Sequence, residues 1–270
     1  RDRPSTDRRP DRAPTLPSGH VYDEYTADLL PPKLVATARE EEVSMMEDWV
    51  VWDEVPVDRC YRATGKRPLG GRWVDHNKRD HHQPDIRSRW VAKDIAHYKT
   101  DAFFAATPPL EALRLLMSEA ASQAEQAGHE LKLMLLDAKK AHLHALAERE
   151  IFVDLPPELQ AMYLGMCGWL RRMLYGTRDA PQRWEAFLAS ELLKHRFVKG
   201  KASSCVFVHP TRDLRCVAHG DDFIFAGCDE DLTWIEARMH ESFLIKIVGK
   251  LGVDEGDLKE IRVLHRILRW

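Results

Sequence analysis

The stretch that decides the fold is residues 215–227, which read RCVAHGDDFIFAG. Two short apolar runs flank Gly220, Asp221 and Asp222, and this pattern predicts a β-hairpin with glycine in the bend. Two adjacent carboxylates at such a bend repel each other and are costly to desolvate, so they favour a counter-charge. Mg²⁺ binds few protein carboxylates and completes its shell with water and substrate phosphates. The hairpin is therefore a candidate metal site for phosphoryl chemistry, with a solvated acidic turn as the alternative.

The composition is typical of a globular protein with a sizeable core, because 44% of the 270 residues are hydrophobic and 31% are charged. No run of about 18 apolar residues is present, so the sequence predicts no membrane-spanning helix and no membrane partner. The net charge of −3 excludes only a uniformly basic surface. The five cysteines form no C-x-x-C pair, which favours a reduced, intracellular setting over a disulfide framework or a zinc site.

The chain divides into three predicted segments. Residues 1–25 are rich in Arg, Asp and Pro and poor in apolar groups, so we expect a disordered linker. Residues 34–128 contain charged helical and basic strand-like stretches, and residues 129–270 contain the acidic hairpin. Strands and helices are interspersed without strict β-α-β alternation, which predicts the α+β class.

The first of these folded segments concentrates positive charge among alternating apolar residues. Arg and Lys neutralise phosphate, so this stretch is either a phosphate-binding surface or an ordinary solvated strand pair. Four histidines in the same region lack metal-ligand spacing, which favours solvated loop histidines over a metal cluster. The cations are Arg62, Lys66, Arg67, Arg72, Lys78, Arg79, Arg87, Arg89, Lys93 and Lys99, and the histidines are His76, His81, His82 and His97.

A second acid stands at the end of a predicted strand. Residues 130–137 alternate, with Leu131, Leu133 and Leu135 on one side, and the strand ends at Asp137. A carboxylate at the point where a strand gives way to a turn is well placed to face a cleft. Further on, residues 173–181 predict a turn into a helix that carries Trp184 on its inner side.

These features, in this order, resemble the reverse transcriptase domain of copia-type retrotransposons. Residues 136–144 (LDAKKAHLH) are similar to that family's Leu-Asp-Val-Lys-x-Ala-Phe-Leu-His block. Residues 174–184 (LYGTRDAPQRW) are similar to its Leu-Tyr-Gly-Leu-Lys-Gln-Ala-Pro-Arg-x-Trp block, and residues 219–223 (HGDDF) stand where it has Tyr-Val-Asp-Asp. Shorter matches at residues 72–74, 89–93 and 249–252 extend the resemblance over residues 34–270.

The resemblance implies a right-hand polymerase: an antiparallel palm sheet packed on helices, together with fingers. Residues 34–128 would form the fingers and the entry to the palm, residues 129–270 would form the palm with the catalytic hairpin, and the thumb is expected to be truncated. The implied enzyme is an RNA-directed DNA polymerase, a nucleotidyltransferase that uses dNTP, an RNA template and a DNA primer. Integrase and RNase H regions of a Pol polyprotein are its expected partners, and a cytoplasmic particle or the nucleus is the expected location.

By the same resemblance, Asp137 and Asp221 hold two Mg²⁺ ions, or Mn²⁺, and Asp222 is the third acid of the cluster. His142 replaces a Phe expected to exclude ribonucleotides, which predicts weaker sugar discrimination. Asp179 replaces Gln and adds negative charge near a polyphosphate, and Gly220 replaces Val and is expected to loosen the hairpin. The implied nucleotide-binding residues are Lys78, Arg89, His142, Tyr175, Gly176, Asp179, Ala180 and Pro181.

Two other functions fit parts of the sequence. A degenerate or repurposed remnant would bind nucleic acid or a partner without catalysis; the expected lack of a thumb favours it, whereas the intact acids favour the polymerase. A metal-dependent hydrolase would use the acids but leaves residues 72–74 and 174–184 unexplained. The polymerase prediction depends on one fold property, namely that Asp137 lies beside the two hairpin acids.

Overall fold

The computed structural model of the chain describes residues 19–95, 108–123, 131–263 and 266–270. The described residues form two compact units, the first made by those within 1–95 and 147–177 and the second by those within 96–146 and 178–270. This division differs from the predicted boundary near residue 128. Residues 147–177 belong to the first unit because they include two strands that pair in its sheet.

Helices and antiparallel strands are interspersed along the described part of the chain without strict alternation, which confirms the α+β class. The helices are α1 Pro32–Asp48, α2 Val57–Thr64, α3 Leu110–Gln123, α4 Ala141–His144, α5 Pro157–Gln160, α6 Ala180–Lys194 and α7 Asp229–Ser242. The strands are β1 Trp52–Pro56, β2 Gly71–Asn77, β3 Ile86–Ala92, β4 Lys132–Ala138, β5 Phe152–Val153, β6 Met166–Leu170, β7 Val198–Lys199, β8 Val206–Val208, β9 Arg215–His219, β10 Asp222–Gly227, β11 Ile245–Leu251, β12 Glu260–Val263 and β13 Arg266–Arg269. None of the described helices is long and apolar enough to span a bilayer.

The first unit contains the small sheet β1-β6-β5 and the two-stranded ribbon β2-β3. One ribbon face is packed: Trp73 and Trp90 meet edge to face, and Arg39 of α1 pairs with the buried Asp75. Side chains alternate between the faces of a strand, so four basic side chains fall together on the other face. These are Arg72, His76, Arg87 and Arg89.

The predicted linker proves to be folded where the structure describes it. Asp23 is buried, and its carboxylate accepts hydrogen bonds from the backbone N–H groups of Tyr25, Thr26 and Asn77. Tyr22 and Leu29 form a β-bridge in the same segment. The prediction of disorder is therefore wrong for residues 21–25, because a buried carboxylate ties them to β2. Residues 1–18 lie outside the described part of the chain.

The second unit is organised around one antiparallel sheet of strand order β11-β4-β10-β9-β8-β7. One sheet face packs Leu136, Phe223 and Phe225 against α6 and α7. The other face packs Leu135 and Ile224 against α3. The predicted hairpin is confirmed as β9 and β10, and the strand predicted to end near Asp137 is confirmed as β4, which pairs with β10.

A buried lysine anchors one end of this sheet. Lys132 opens β4, and its side chain is 4% exposed while it contacts the carboxylates of Asp229, Asp254 and Asp257. Burial acting by itself would lower the pKa of Lys132, but the hydrogen bonds that its ammonium group donates to these three carboxylates hold the pKa above its usual range. The cation thus joins the start of α7 to the loop that follows β11.

Candidate active site

Asp137 and Asp222 stand directly opposite each other on the paired strands β4 and β10. Directly opposed residues of an antiparallel pair point to the same sheet face, so the two carboxylates share one side. The backbone N–H of Ala138 donates a hydrogen bond to the carbonyl oxygen of Asp221 at 2.7 Å. The strand that ends near Asp137 therefore meets the acidic hairpin, as the polymerase prediction requires.

The bend that carries the acids is a two-residue turn. His219 pairs with Asp222, which leaves Gly220 and Asp221 as the central residues. Gly220 has a φ of 61°, whereas Asp221 is not at positive φ, and this combination fits a type II′ hairpin turn with glycine first. The turn conformation therefore accounts for Gly220, since a valine there would be strained. Gly220 was expected only to loosen the hairpin, but the positive φ of the turn requires a glycine at this position.

The acids form a cluster of like charge. Asp137 and Asp222 are half-buried, and Asp221 is exposed. Burial raises the pKa of Asp222, the charges of Asp221 and Asp137 raise it further, and His219 opposes the shift. A bound cation would relieve the repulsion that raises the pKa of Asp222, so the cluster is suited to binding a cation.

A cleft of about 240 Å³ opens beside two of these acids. Asp137 and Asp222 line it together with Lys246 and Arg262, and the remaining lining is apolar. Lys246 lies directly opposite Asp137 on β11, so the same row across the sheet holds a cation beside the acids. Carboxylates next to cations suit a ligand that brings both a divalent metal and negatively charged phosphates.

The donor set fits an open magnesium site. Within the residues that the structure describes, no three His, Cys, Asp or Glu side chains are grouped so that they could hold a metal ion. Mg²⁺ does not need such a closed set, because one or two carboxylates, water and substrate phosphates complete its shell. Among the predicted histidines, His76 pairs with Asp23 and His81 lies 3.5 Å from Asp28, while His97 is outside the described residues.

Four of the predicted nucleotide-binding residues belong to the first unit. Lys78 follows β2 and is exposed. The guanidinium of Arg89 lies 5.5 Å from the ring centre of Tyr175, whose carbonyl accepts a hydrogen bond from the Ala92 N–H. Gly176 has a φ of 80°, and a Cβ there would meet the Ala92 carbonyl oxygen at 2.1 Å. The fold itself therefore requires glycine at position 176.

The other four belong to the second unit. His142 lies in α4 and is half-buried, and Pro181 in the first turn of α6 is exposed. Asp179 and Ala180 are only 1% and 0% exposed, because they begin α6 inside the protein. The burial of both side chains disfavours a direct contact with a nucleotide, and it also disfavours the expected negative charge of Asp179 near a polyphosphate.

Sequence reasoning missed Lys246 and Arg262 as residues of the cleft. Lys246 lies three residues before the block at residues 249–252 that the resemblance included, but only the β4-β11 register places it opposite Asp137. Arg262 belongs to β12, which pairs with β13, and it lines the same cleft as Asp137 and Asp222 although it lies far from both in sequence.

Comparison with known proteins gives a family and several relatives. The family model described as reverse transcriptase (RNA-dependent DNA polymerase) matches residues 57–254. The Retrovirus-related Pol polyprotein from transposon TNT 1-94 of Nicotiana tabacum is 28% identical over 195 residues, which cover 68% of this chain and 14% of that protein.

Two solved telomerase structures also align with 93% of this chain at 8% identity. They are apo telomerase from Candida tropicalis truncated from its C-terminal domain (TM-score 0.45, 62% of that chain covered) and telomerase from Candida albicans in complex with a TWJ fragment of telomeric RNA (TM-score 0.47, 51% covered).

Proposed function

Because this chain belongs to the reverse transcriptase (RNA-dependent DNA polymerase) family, we propose that it is the RNA-directed DNA polymerase domain of a copia-type retrotransposon Pol polyprotein. The observation that carries the proposal is the direct opposition of Asp137 and Asp222 in a cleft that also holds Lys246 and Arg262. In this proposal the second unit supplies the palm and the first unit supplies fingers residues.

The proposed reaction is nucleotidyl transfer to a primer. The primer 3′-hydroxyl loses its proton to water and its oxygen attacks the α-phosphorus of a dNTP. The bond from that phosphorus to the bridging oxygen breaks, and pyrophosphate leaves. Asp137, Asp221 and Asp222 would hold two Mg²⁺ ions, or Mn²⁺, which when bound stabilise the negative charge that develops on the phosphoryl oxygens. Lys246 and Arg262 add fixed positive charge at the same cleft, where the anionic phosphates would lie.

The residues proposed for substrate recognition are those that the family resemblance implies. Lys78 and Arg89 would bind the triphosphate, the turn with Tyr175 and Gly176 and the exposed Pro181 would contact nucleotide or template, and His142 would face the sugar. Asp179 and Ala180 are buried at the start of α6, so they are proposed to hold that helix in place and not to contact the substrate. The proposed partners are an RNA template, a DNA primer and dNTP. Base pairing would select the incoming nucleotide, and the protein would recognise the backbone shape of the template. The domain would belong to a polyprotein with integrase and RNase H, in an intracellular particle.

Mg²⁺-dependent primer extension on an RNA template tests the proposal. We expect extension by the wild-type chain and its loss in Asp137→Asn and Asp221→Asn. Glu255→Gln is the matched control, because it removes one negative charge at an exposed position of the same unit. Extension that persists in both site variants excludes this mechanism. Binding of primer–template with no extension by the wild type supports the non-catalytic remnant instead.

A further inference from the structure

A buried tryptophan holds the bend that carries the acids. The indole Nε1–H of Trp184 in α6 donates a hydrogen bond to the carbonyl oxygen of Gly220 at 2.7 Å. Trp184 is 3% exposed, whereas Gly220 is exposed on the turn. A rigid, buried side chain therefore reaches one specific backbone atom of an otherwise exposed loop.

The indole ring is itself fixed by its neighbours. Phe223 and Phe243 contact it edge to face, with ring centres 6.2 Å and 5.6 Å away. Phe223 follows Asp222 on β10, so its side chain points to the sheet face opposite that of the carboxylate. Trp184 thus acts from behind the sheet and touches the turn through backbone rather than through the acids.

Two consecutive carbonyl groups of the bend are held by two different elements. Trp184 of α6 donates to Gly220, and the Ala138 N–H of β4 donates to Asp221 at 2.7 Å. These two contacts fix the peptide planes on both sides of Asp221 and hence the directions of the carboxylates of Asp221 and Asp222. We infer that Trp184 is a positioning residue for the divalent-cation site, an inference that rests on the proposed function.

The test separates the hydrogen bond from packing. Trp184→Phe keeps an aromatic ring but removes the donor, and Phe187→Leu disturbs the same aromatic cluster without touching the turn. Trp234→Phe removes an indole elsewhere in the same unit. Mn²⁺ binding, titrated by electron paramagnetic resonance on the whole chain, reports on the site without any need for activity. Primer extension at varied Mg²⁺ provides kcat and the KM for dNTP as a second measurement.

We expect Trp184→Phe to weaken Mn²⁺ binding roughly threefold to tenfold, the scale of one hydrogen bond, and to lower kcat at limiting Mg²⁺ with KM for dNTP unchanged. Phe187→Leu and Trp234→Phe should bind Mn²⁺ as the wild type does. Wild-type affinity in Trp184→Phe, or equal losses in Phe187→Leu, would overturn the positioning role. If Trp184→Phe does not fold, a tryptophan analogue with sulfur in place of the ring N–H can be placed at position 184. It removes the same hydrogen-bond donor, and its Mn²⁺ affinity tests the same prediction.

The acid variants keep the two proposals apart. Asp137→Asn and Asp222→Asn should weaken Mn²⁺ binding more than Trp184→Phe does, because each removes a charge from the cluster. Unchanged Mn²⁺ affinity in both acid variants refutes the proposed function itself. A loss in the acid variants with none in Trp184→Phe refutes the positioning role and leaves the polymerase proposal standing.

Discussion

Replacing Asp222 with Asn should stabilise the folded protein while removing polymerase activity. Burial and the charges of Asp221 and Asp137 raise the pKa of Asp222, so its ionised form is disfavoured in the folded state. Like charges directly opposite each other across paired strands cost about 0.2–1 kcal/mol. We therefore expect Asp222→Asn to raise the free energy of unfolding at pH 7 by that amount, with a midpoint shift of roughly 1–3 °C.

The pH dependence has a definite sign. A group whose pKa is raised by folding contributes stability below its ordinary pKa, near 4 for Asp, and loses that contribution as pH rises through the raised value. Wild type and Asp222→Asn should therefore be about equally stable near pH 3, where Asp222 is protonated. The variant should become the more stable of the two as pH rises toward 7.

Urea denaturation from pH 3 to pH 7 measures this difference, with hydrogen exchange of peptides from β4 and β10 as the local readout. Glu255→Gln is the charge-matched control and should show no such gap, because Glu255 is exposed. Mg²⁺ should stabilise the wild type more than Asp222→Asn, since ligand binding to the folded state adds stability. A variant that is no more stable at pH 7, or a gap that is independent of pH, refutes the repulsion between the acids.

Three further outcomes are expected. Lys132→Met should lower the free energy of unfolding in urea by about 3 kcal/mol, because it leaves the buried carboxylate of Asp257 without its cation, and a loss no larger than that of exposed Lys201→Met would contradict this. Gly176→Ala should destabilise the first unit by more than about 1 kcal/mol, and by more than Gly65→Ala, which shares the positive φ but meets no neighbouring atom; equal thermal midpoints would show that the contact with Ala92 is relaxed easily. His142→Phe should raise the ratio of dNTP to rNTP incorporation in single-nucleotide extension, and strong rejection of rNTP by the wild type would remove the idea.

Local patterns were sufficient for the elements that carry the acids. The hairpin could be predicted because apolar runs flank a glycine at a position that needs positive φ, and both the strand period and the turn are short-range properties. The strand that ends near Asp137 followed from its alternating leucines. The family resemblance then depended on the order of these elements along the chain.

The boundaries of the segments could not be predicted from the sequence. Residues 147–177 join the first unit because β6 pairs with β1, and residues 21–25 are folded because Asp23 accepts hydrogen bonds from β2. A composition rich in charge and proline describes the average behaviour of a segment. It does not reveal one buried carboxylate that also accepts a hydrogen bond from Asn77, a residue 54 positions away in sequence.

The sequence by itself determined the hairpin, the strand before it, the α+β class and the family. Tertiary structure decided what surrounds the acids: Lys246 opposite Asp137, Arg262 in the same cleft, and the indole of Trp184 on the carbonyl of Gly220. The physical reason is the range of the interactions. Turn conformation and alternation are set by adjacent residues, whereas cross-strand register and helix-to-turn hydrogen bonds join segments that come together only when the whole sheet has formed.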